Sequence, residues 1–338
     1  MPFQRPPARA LARPLARPLA RRLLLGAAAA LATPGLARAQ DFPGGRPVRL
    51  VVPFGPGGIT DLVARVVAER AAAILGAPIV VENRAGANGN IAGDFVAKSA
   101  PDGHTLLMAS LAMFSVNPVI YPAMPYDPAR DFEPVIAIGS TPHILVAHPS
   151  VGATDLAGLI AVAKARPEAL SYGTAGAGSS PHLTQLAFQQ ATGAKLLEVH
   201  FRSGSASVQS VLGGQVSMTA EATPVVIAHI QAGTLRAYAV ASLARVALLP
   251  QVPTAAEAGL PGLENGSTSG VVAPRGTPAA VLARLNQVFD QALRAPETQA
   301  RLVQQGTLPL GGTGEEFRAL VDREVTRWRP LLAGVSAG

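Results

Sequence analysis

The sequence predicts an α/β fold of two Rossmann-like lobes that face each other across a central cleft, and three observations carry that expectation. Short apolar strands alternate with amphipathic helices over residues 48–110, and the alternation restarts over residues 144–240, as in parallel sheets covered by helices. Each run contains one loop of small residues between a strand's carboxyl end and a helix's amino end, at residues 54–61 and 172–182. Ligand crevices of such sheets lie beyond the carboxyl ends of the strands. The chain has 338 residues and no cysteine, so stability must come from core burial and not from disulfides. At this length it divides naturally into two lobes, each with a core.

Residues 1–39 differ from all that follows. They hold arginines at 5, 9, 13, 17, 21, 22 and 38 and no acidic residue. Arg21-Arg22, the apolar run 23–32 and Ala37-Arg38-Ala39 supply the charged flank, the short apolar region and the small-x-small cleavage site of a secretory signal. The run is too short to span a bilayer, and the arginine pair leaves both the general and the twin-arginine export routes open. The net charge of +7 comes from 28 basic and 21 acidic residues. Removing the seven arginines of the signal leaves 21 against 21, so the high isoelectric point does not indicate a nucleic-acid partner.

The first strand is the run Val48, Leu50, Val51 and Val52, ended by Pro53, which lacks a backbone donor. From Ile59 the period changes, and Leu62, Val63, Val66, Val67 and Ile74 share a helical face. The joining loop is a favoured anion site. Gly55, Gly57 and Gly58 let the backbone turn and approach a guest, and the first N–H groups of the helix have no internal partner. Nucleotide readings fit worse. A Walker loop needs Lys and then Ser or Thr where this chain has Ile59, Thr60 and Asp61, and G-x-G-x-x-G is missing.

A strand at 78–82, a turn-rich loop at 83–90, a helix at 91–99 and a strand from 105 to Ser110 follow. Residues 117–134, rich in proline and aromatics, are expected to be irregular before a strand at 135–138. The second run then predicts strands at 144–147, 170–172, 196–201, 216–219 and 235–240, with helices at 155–165, 181–190, 205–212 and 224–232 between them. Residues 250–269 suit a return linker. The tail reads as helices, with Pro278 and Pro296 at two starts and the capping-box spacing Thr313-Gly-Glu-Glu316 at a third. Lobe 1 is therefore expected to be discontinuous, 40–144 with 250–338, and lobe 2 to be 145–249, joined by two crossover segments.

The second loop, Tyr172-Gly-Thr-Ala-Gly-Ala-Gly-Ser-Ser-Pro-His182, offers amide donors and the hydroxyls of Thr174, Ser179 and Ser180 opposite Thr60. That set suits an enclosed carboxylate without a buried arginine.

Several stretches then resemble the extracytoplasmic receptors of tripartite tricarboxylate transporters, the Bug receptors. They are Val51-Val-Pro-Phe-Gly-Pro-Gly-Gly, Val81-Glu-Asn-Arg-Ala-Gly-Ala-Asn-Gly-Asn90, Ala100-Pro-Asp-Gly-His-Thr-Leu-Leu107 and Tyr126-Asp-Pro-Ala-Arg-Asp-Phe132, with Ser180-Pro-His-Leu183, Leu212-Gly-Gly-Gln-Val216, Leu249-Pro-Gln-Val-Pro-Thr254, Glu257-Ala-Gly-Leu-Pro261 and Ala273-Pro-Arg-Gly-Thr-Pro278. The resemblance covers nearly all of residues 42–335. It implies a type II periplasmic binding protein that closes on one small carboxylate, without catalysis, cofactor or metal, as a periplasmic monomer serving membrane transporter subunits. Carried over residue by residue, Phe54, Gly57, Gly58, Thr60 and Asp61 meet the carboxylate from lobe 1, and Thr174, Ser179, Ser180 and His182 from lobe 2. Asp61 is expected to cap the helix or order bridging water as much as to touch ligand. Ser110 to Met113, Arg202 to Ser205 and Glu221 line the distal part. There the chain departs from the family, with Arg202-Ser203 for Lys-Gly, Glu221 for Asp, and Thr268-Ser269 for an aromatic pair.

Two other functions compete. A hydrolase would need Ser180 and His182 as nucleophile and base, but residues two apart at a helix start do not face each other, and no G-x-S-x-G elbow is present. The six histidines, at 104, 143, 148, 182, 200 and 229, show no metal-ligand spacing. An orphan sensing receptor without a transporter shares every feature of the sequence with a transport receptor.

Overall fold

The computed structural model describes residues 42–332 together with Met1, Phe3 and Val335. The signal and its cleavage site thus lie outside the described residues, apart from Met1 and Phe3. Residues Phe42–Gly338 form one compact unit.

Strands β1 (Val48–Val52), β2 (Ile79–Asn83) and β3 (Thr105–Ser110) pair in parallel with β1 in the middle. Helix α1 (Ile59–Leu75) ends on Gly76, whose left-handed φ of 76° a side chain would resist. Its inner face, with Val63, Val66, Val67 and Leu75, packs on Val48, Leu50 and Val52. Helix α2 (Asn90–Ala97) covers the other face, where Ala92 and Val96 meet Val51 and Leu107. A short helical turn, α3 (Ala112–Ser115), precedes the segment expected to be irregular, and a second, α4 (Asn117–Ile120), opens it.

The crossover differs from the sequence expectation. Strands were expected at 135–138 and 144–147 with a break between them; the structure has a single 16-residue strand, β4 (Phe132–Ala147). Gly139, Ser140 and Pro142 read as a break because they are small or lack a donor. The ladder accommodates the irregularities with register shifts at Pro134/Ile136 and Ala137/Gly139. The lobe boundary expected at 144/145 therefore falls inside a strand.

In the second run β5 (Ser171–Thr174) pairs in parallel with β6 (Leu197–His200) and β7 (Met218–Ala222), and β8 (Arg236–Val240) pairs with the end of β4. Helices α5 (Leu156–Ala165), α6 (Ser180–Thr192), α7 (Gly204–Leu212) and α8 (Thr223–Gln231) intervene. The expected linker at 250–269 runs partly into β9 (Gly266–Pro274), which lies antiparallel to β4 from Phe132 to Pro142 and also pairs with β3. Strands order as β2-β1-β3-β9-β4-β7-β5-β6, with β4 shared between the two halves. The fold is mixed α/β, and the passage between its halves is a paired two-strand ribbon.

The tail supplies α9 (Ala279–Arg294), α10 (Pro296–Gln304), an unanticipated strand β10 (Leu308–Gly311) paired with β4, and α11 (Gly314–Trp328), whose capping box is formed as its spacing predicts. Helix α11 was expected to belong to lobe 1 alone. Phe317 packs there with Phe132 and Val272, but Trp328 and Leu332 enter the core that contains Leu145, Tyr172 and Phe188. The helix spans both halves because its apolar residues are spread along its length.

Candidate functional site

Three helix starts meet beyond the carboxyl ends of β1, β5 and β6. Helix α1 begins at Gly58 with no side-chain cap, and its first internal bond is Leu62 N–H to the Gly58 carbonyl. The N–H groups of Ile59, Thr60 and Asp61 are therefore left over by the helix. Helix α6 begins at Ser179, also without a side-chain cap, and its first bond is Leu183 N–H to the Ser179 carbonyl. Ser179 is 1% exposed, and its Oγ has no hydrogen-bond partner. Only α7 is closed by a side chain, with Ser203 Oγ accepting from Ala206 N–H at 3.2 Å.

These starts enclose a narrow cavity of ≈ 30 Å³. Of the residues expected at the site, Phe54, Gly58, Thr60, Ser110, Ser179, Ser180 and Glu221 line it, as does Gly204 from the expected 202–205 stretch. Ile59, Ala175, Pro181 and Ser267 were not anticipated. Pro181 and Ile59 lie in the first turns of their helices beside expected residues, so nearness in sequence was the available signal. Ser267 stands beside Thr268-Ser269, but its strand read as linker. Across the cleft Ser205 Oγ donates to the Pro56 carbonyl at 3.4 Å, so the loop of α1 and the start of α7 touch.

Gly57, Asp61, Thr174, His182 and Arg202, with Leu111, Ala112, Met113, Ser203 and Ser205 of the expected distal stretches, do not line the cavity, and the first four shape it from behind. Gly57 has a φ of 77°, which favours glycine, and its N–H donates to Asp61 Oδ2 at 3.0 Å. Asp61 is 2% exposed and also accepts from Asn83 Nδ2 at 2.9 Å and from Arg65 Nε at 3.0 Å. Burial works to raise its pKa, but the hydrogen bonds from Arg65, Gly57 and Asn83 outweigh it and hold the carboxyl below its ordinary value. Asn83 Nδ2 reaches the Phe54 carbonyl as well, at 3.0 Å, so β2 braces the whole loop. Thr174 Oγ1 accepts from Gly176 N–H at 3.1 Å and meets His200 Nδ1 at 2.7 Å. Arg202 is half-buried and outside the lining.

His182 is 1% exposed, and its Nδ1 accepts from Gly178 N–H at 2.8 Å. Ser180 Oγ instead meets Ser267 Oγ at 3.2 Å, so these two residues do not form a nucleophile–base pair. The fold does gather His182, Glu198 and His200, with ligand-type atoms within 4.8 Å of one another, which their spacing did not suggest. That trio does not suit a metal. With Nδ1 accepting from a backbone N–H, the neutral ring carries its proton on Nε2, the atom that faces Glu198 Oε2 at 3.5 Å. A ring nitrogen holding a proton cannot ligate.

Glu221 closes the distal wall. It is 2% exposed, Oε1 has no partner, and Oε2 accepts only a 3.4 Å bond from Ala222 N–H. Burial raises its pKa to about 8. The arrangement thus presents left-over N–H donors and serine hydroxyls on one side and a lone acid on the other. It can hold a small anion but offers no activated nucleophile.

The chain matches the family described as the tripartite tricarboxylate transporter family receptor (TctC) over residues 63–336. It is 38% identical over 320 residues to protein BugT of Bordetella pertussis, covering 94% of this chain and 98% of BugT. Among solved structures it is similar to Rpa4515 of R. palustris, solved with adipate, at a TM-score of 0.83 and 36% identity, covering 86% of this chain and 98% of that one. It is also similar to MatC of Rhodopseudomonas palustris with bound malate, at a TM-score of 0.81 and 33% identity, covering 85% and 99%.

Proposed function

Since the chain belongs to the tripartite tricarboxylate transporter receptor family, we propose that it captures one small carboxylate between its two halves by hinge closure and delivers it to membrane transporter subunits. It would act as a monomer in the periplasm. The observation that carries this reading is the pair of helix starts, α1 and α6, that face one cavity without side-chain caps beside the unpartnered, buried Ser179 Oγ. Left-over helix N–H groups and a free hydroxyl satisfy an enclosed anion without a cationic side chain. Adipate and malate in the related structures agree with that chemistry. The cavity has room for about one water, so a larger guest must enter with the loops apart. The β4–β9 ribbon is the element on which they would part, and direct contacts such as Ser205 to Pro56 would favour the closed form.

A thermal-shift screen of ligand-stripped protein against small carboxylates tests the reading. Saturation at about 100 times Kd adds ~2.7 kcal/mol and should raise Tm by several degrees. In Gly58→Val the branched side chain intrudes at the start of α1, and the same ligand should give less than a tenth of the wild-type affinity while the far-ultraviolet spectrum is unchanged. A panel without any response, or equal affinity in the variant, would reject the assignment.

A further inference from the structure

The distal wall carries information that the helix starts do not. Glu221 on β7 stands there with Oε1 unpartnered at 2% exposure, and Gly204 presses against it. A Cβ at position 204 would lie 2.3 Å from Glu221 Oε2, so only glycine lets the acid occupy this place. The rest of the lining consists of serines, Thr60 and apolar residues, and among the described residues no Lys, Arg or His lines the cavity. A guest whose carboxylate lies at α1 and α6 therefore points its other end at an acid with an open acceptor and no cation nearby.

We infer that the site selects a compact carboxylate whose far end presents a nitrogen donor, an amine or an amide, to Glu221 Oε1, and that it discriminates against a second carboxylate there. The inference rests on the receptor reading above and narrows its ligand class. A second carboxylate would bring two acids into contact in a wall without a compensating cation, so it could stay only while Glu221 holds a proton, which burial favours up to about pH 8. A nitrogen donor instead satisfies an acceptor that is otherwise buried and unpaired. Sites built around a placed polar group reject analogues that lack its partner by large factors. This chain would then part company with its relatives solved with the dicarboxylates adipate and malate.

Titration calorimetry of the full receptor at pH 9, above the Glu221 pKa of about 8, with succinamate, 4-aminobutyrate and succinate tests this, since the three share a four-carbon frame and differ at one end. Wild type is expected to bind one of the two nitrogen-bearing acids at least tenfold more tightly than succinate. Glu221→Gln, which replaces an oxygen that is acceptor-only when ionised with an amide donor, should weaken 4-aminobutyrate at least tenfold and strengthen succinate. Glu221→Asp should keep the wild-type order. Succinate bound most tightly by wild type, or an order unchanged in Glu221→Gln, would overturn the inference and leave the receptor reading standing. No binding of these three and no response across the wider carboxylate panel would overturn both.

Discussion

Replacing Glu221 by glutamine is expected to raise the stability of the ligand-free protein at pH 8 and to leave it little changed at pH 5. Burial lifts the folded pKa from 4.5 to about 8, so above pH 4.5 the unfolded chain releases a proton that the folded chain retains, and stability falls as pH rises towards 8. At about 1.4 kcal/mol per pKa unit the full effect is on the order of 5 kcal/mol. The uncharged amide is as unpaired as the protonated acid it replaces, so the two match at pH 5 and the variant recovers most of this at pH 8, a net gain of about 4–5 kcal/mol. For a chain of this size that is a rise in Tm of about 7 °C. His143 gives the opposite limb. It is fully buried between Thr184 Oγ1 and Ser267 Oγ, and burial pulls its pKa from 6.5 down to about 3. Its contribution is intact above pH 6.5 and is lost as pH falls towards 3. The two slopes cancel between pH 4.5 and 6.5, so wild type should show a plateau there and lose stability on either side. Calorimetric scans of both proteins from pH 4 to 9 check this; an alkaline limb that persists in Glu221→Gln would refute it.

Asp61→Ala should cost about 2–3 kcal/mol and most of the ligand affinity. The lost carboxylate accepts from Gly57 N–H, Asn83 Nδ2 and Arg65, and the first two bonds are each worth about 1 kcal/mol. The Arg65 side chain is 51% exposed, so its pairing adds less than about 1 kcal/mol after solvent screening. Arg65→Ala should accordingly lower stability by less than about 1 kcal/mol and leave binding nearly intact. Because the Asp61 pKa is held down in the fold, its contribution is present above the ordinary 3.8 and fades as pH falls below it. Urea titrations of the two variants separate the cases, and equal losses would contradict the brace assigned to Asp61.

The strand–loop–helix units were legible because their signals are local. The run 48–52 followed by the helical period from Ile59, and Pro181 after Ser179-Ser180, place both helix starts within a residue. The crossing ribbon was not legible. Glycine, serine and proline at 139–142 and the small polar residues 266–269 lack strand propensity, and they are extended because each segment supplies the other's ladder across more than a hundred residues of sequence. The division of labour at the site was hidden for a similar reason. Gly57, Asp61, Thr174 and His182 belong to the same motifs as the lining residues, but their side chains or φ values serve the loops. Only the contacts of Asn83, Gly178 and His200 reveal which way they turn. Glu221 stood out in the sequence only by its difference from a related pattern, and its isolation is a property of the packed wall.

A crystal structure of the receptor with the tightest ligand from the carboxylate screen tests the central claim most directly. One ligand carboxylate should lie within hydrogen-bond reach of the N–H groups at the starts of α1 and α6 and of Ser179 Oγ, with β4 and β9 continuous beneath it. A ligand seated elsewhere, or one turning no carboxylate towards those helix starts, would contradict the account.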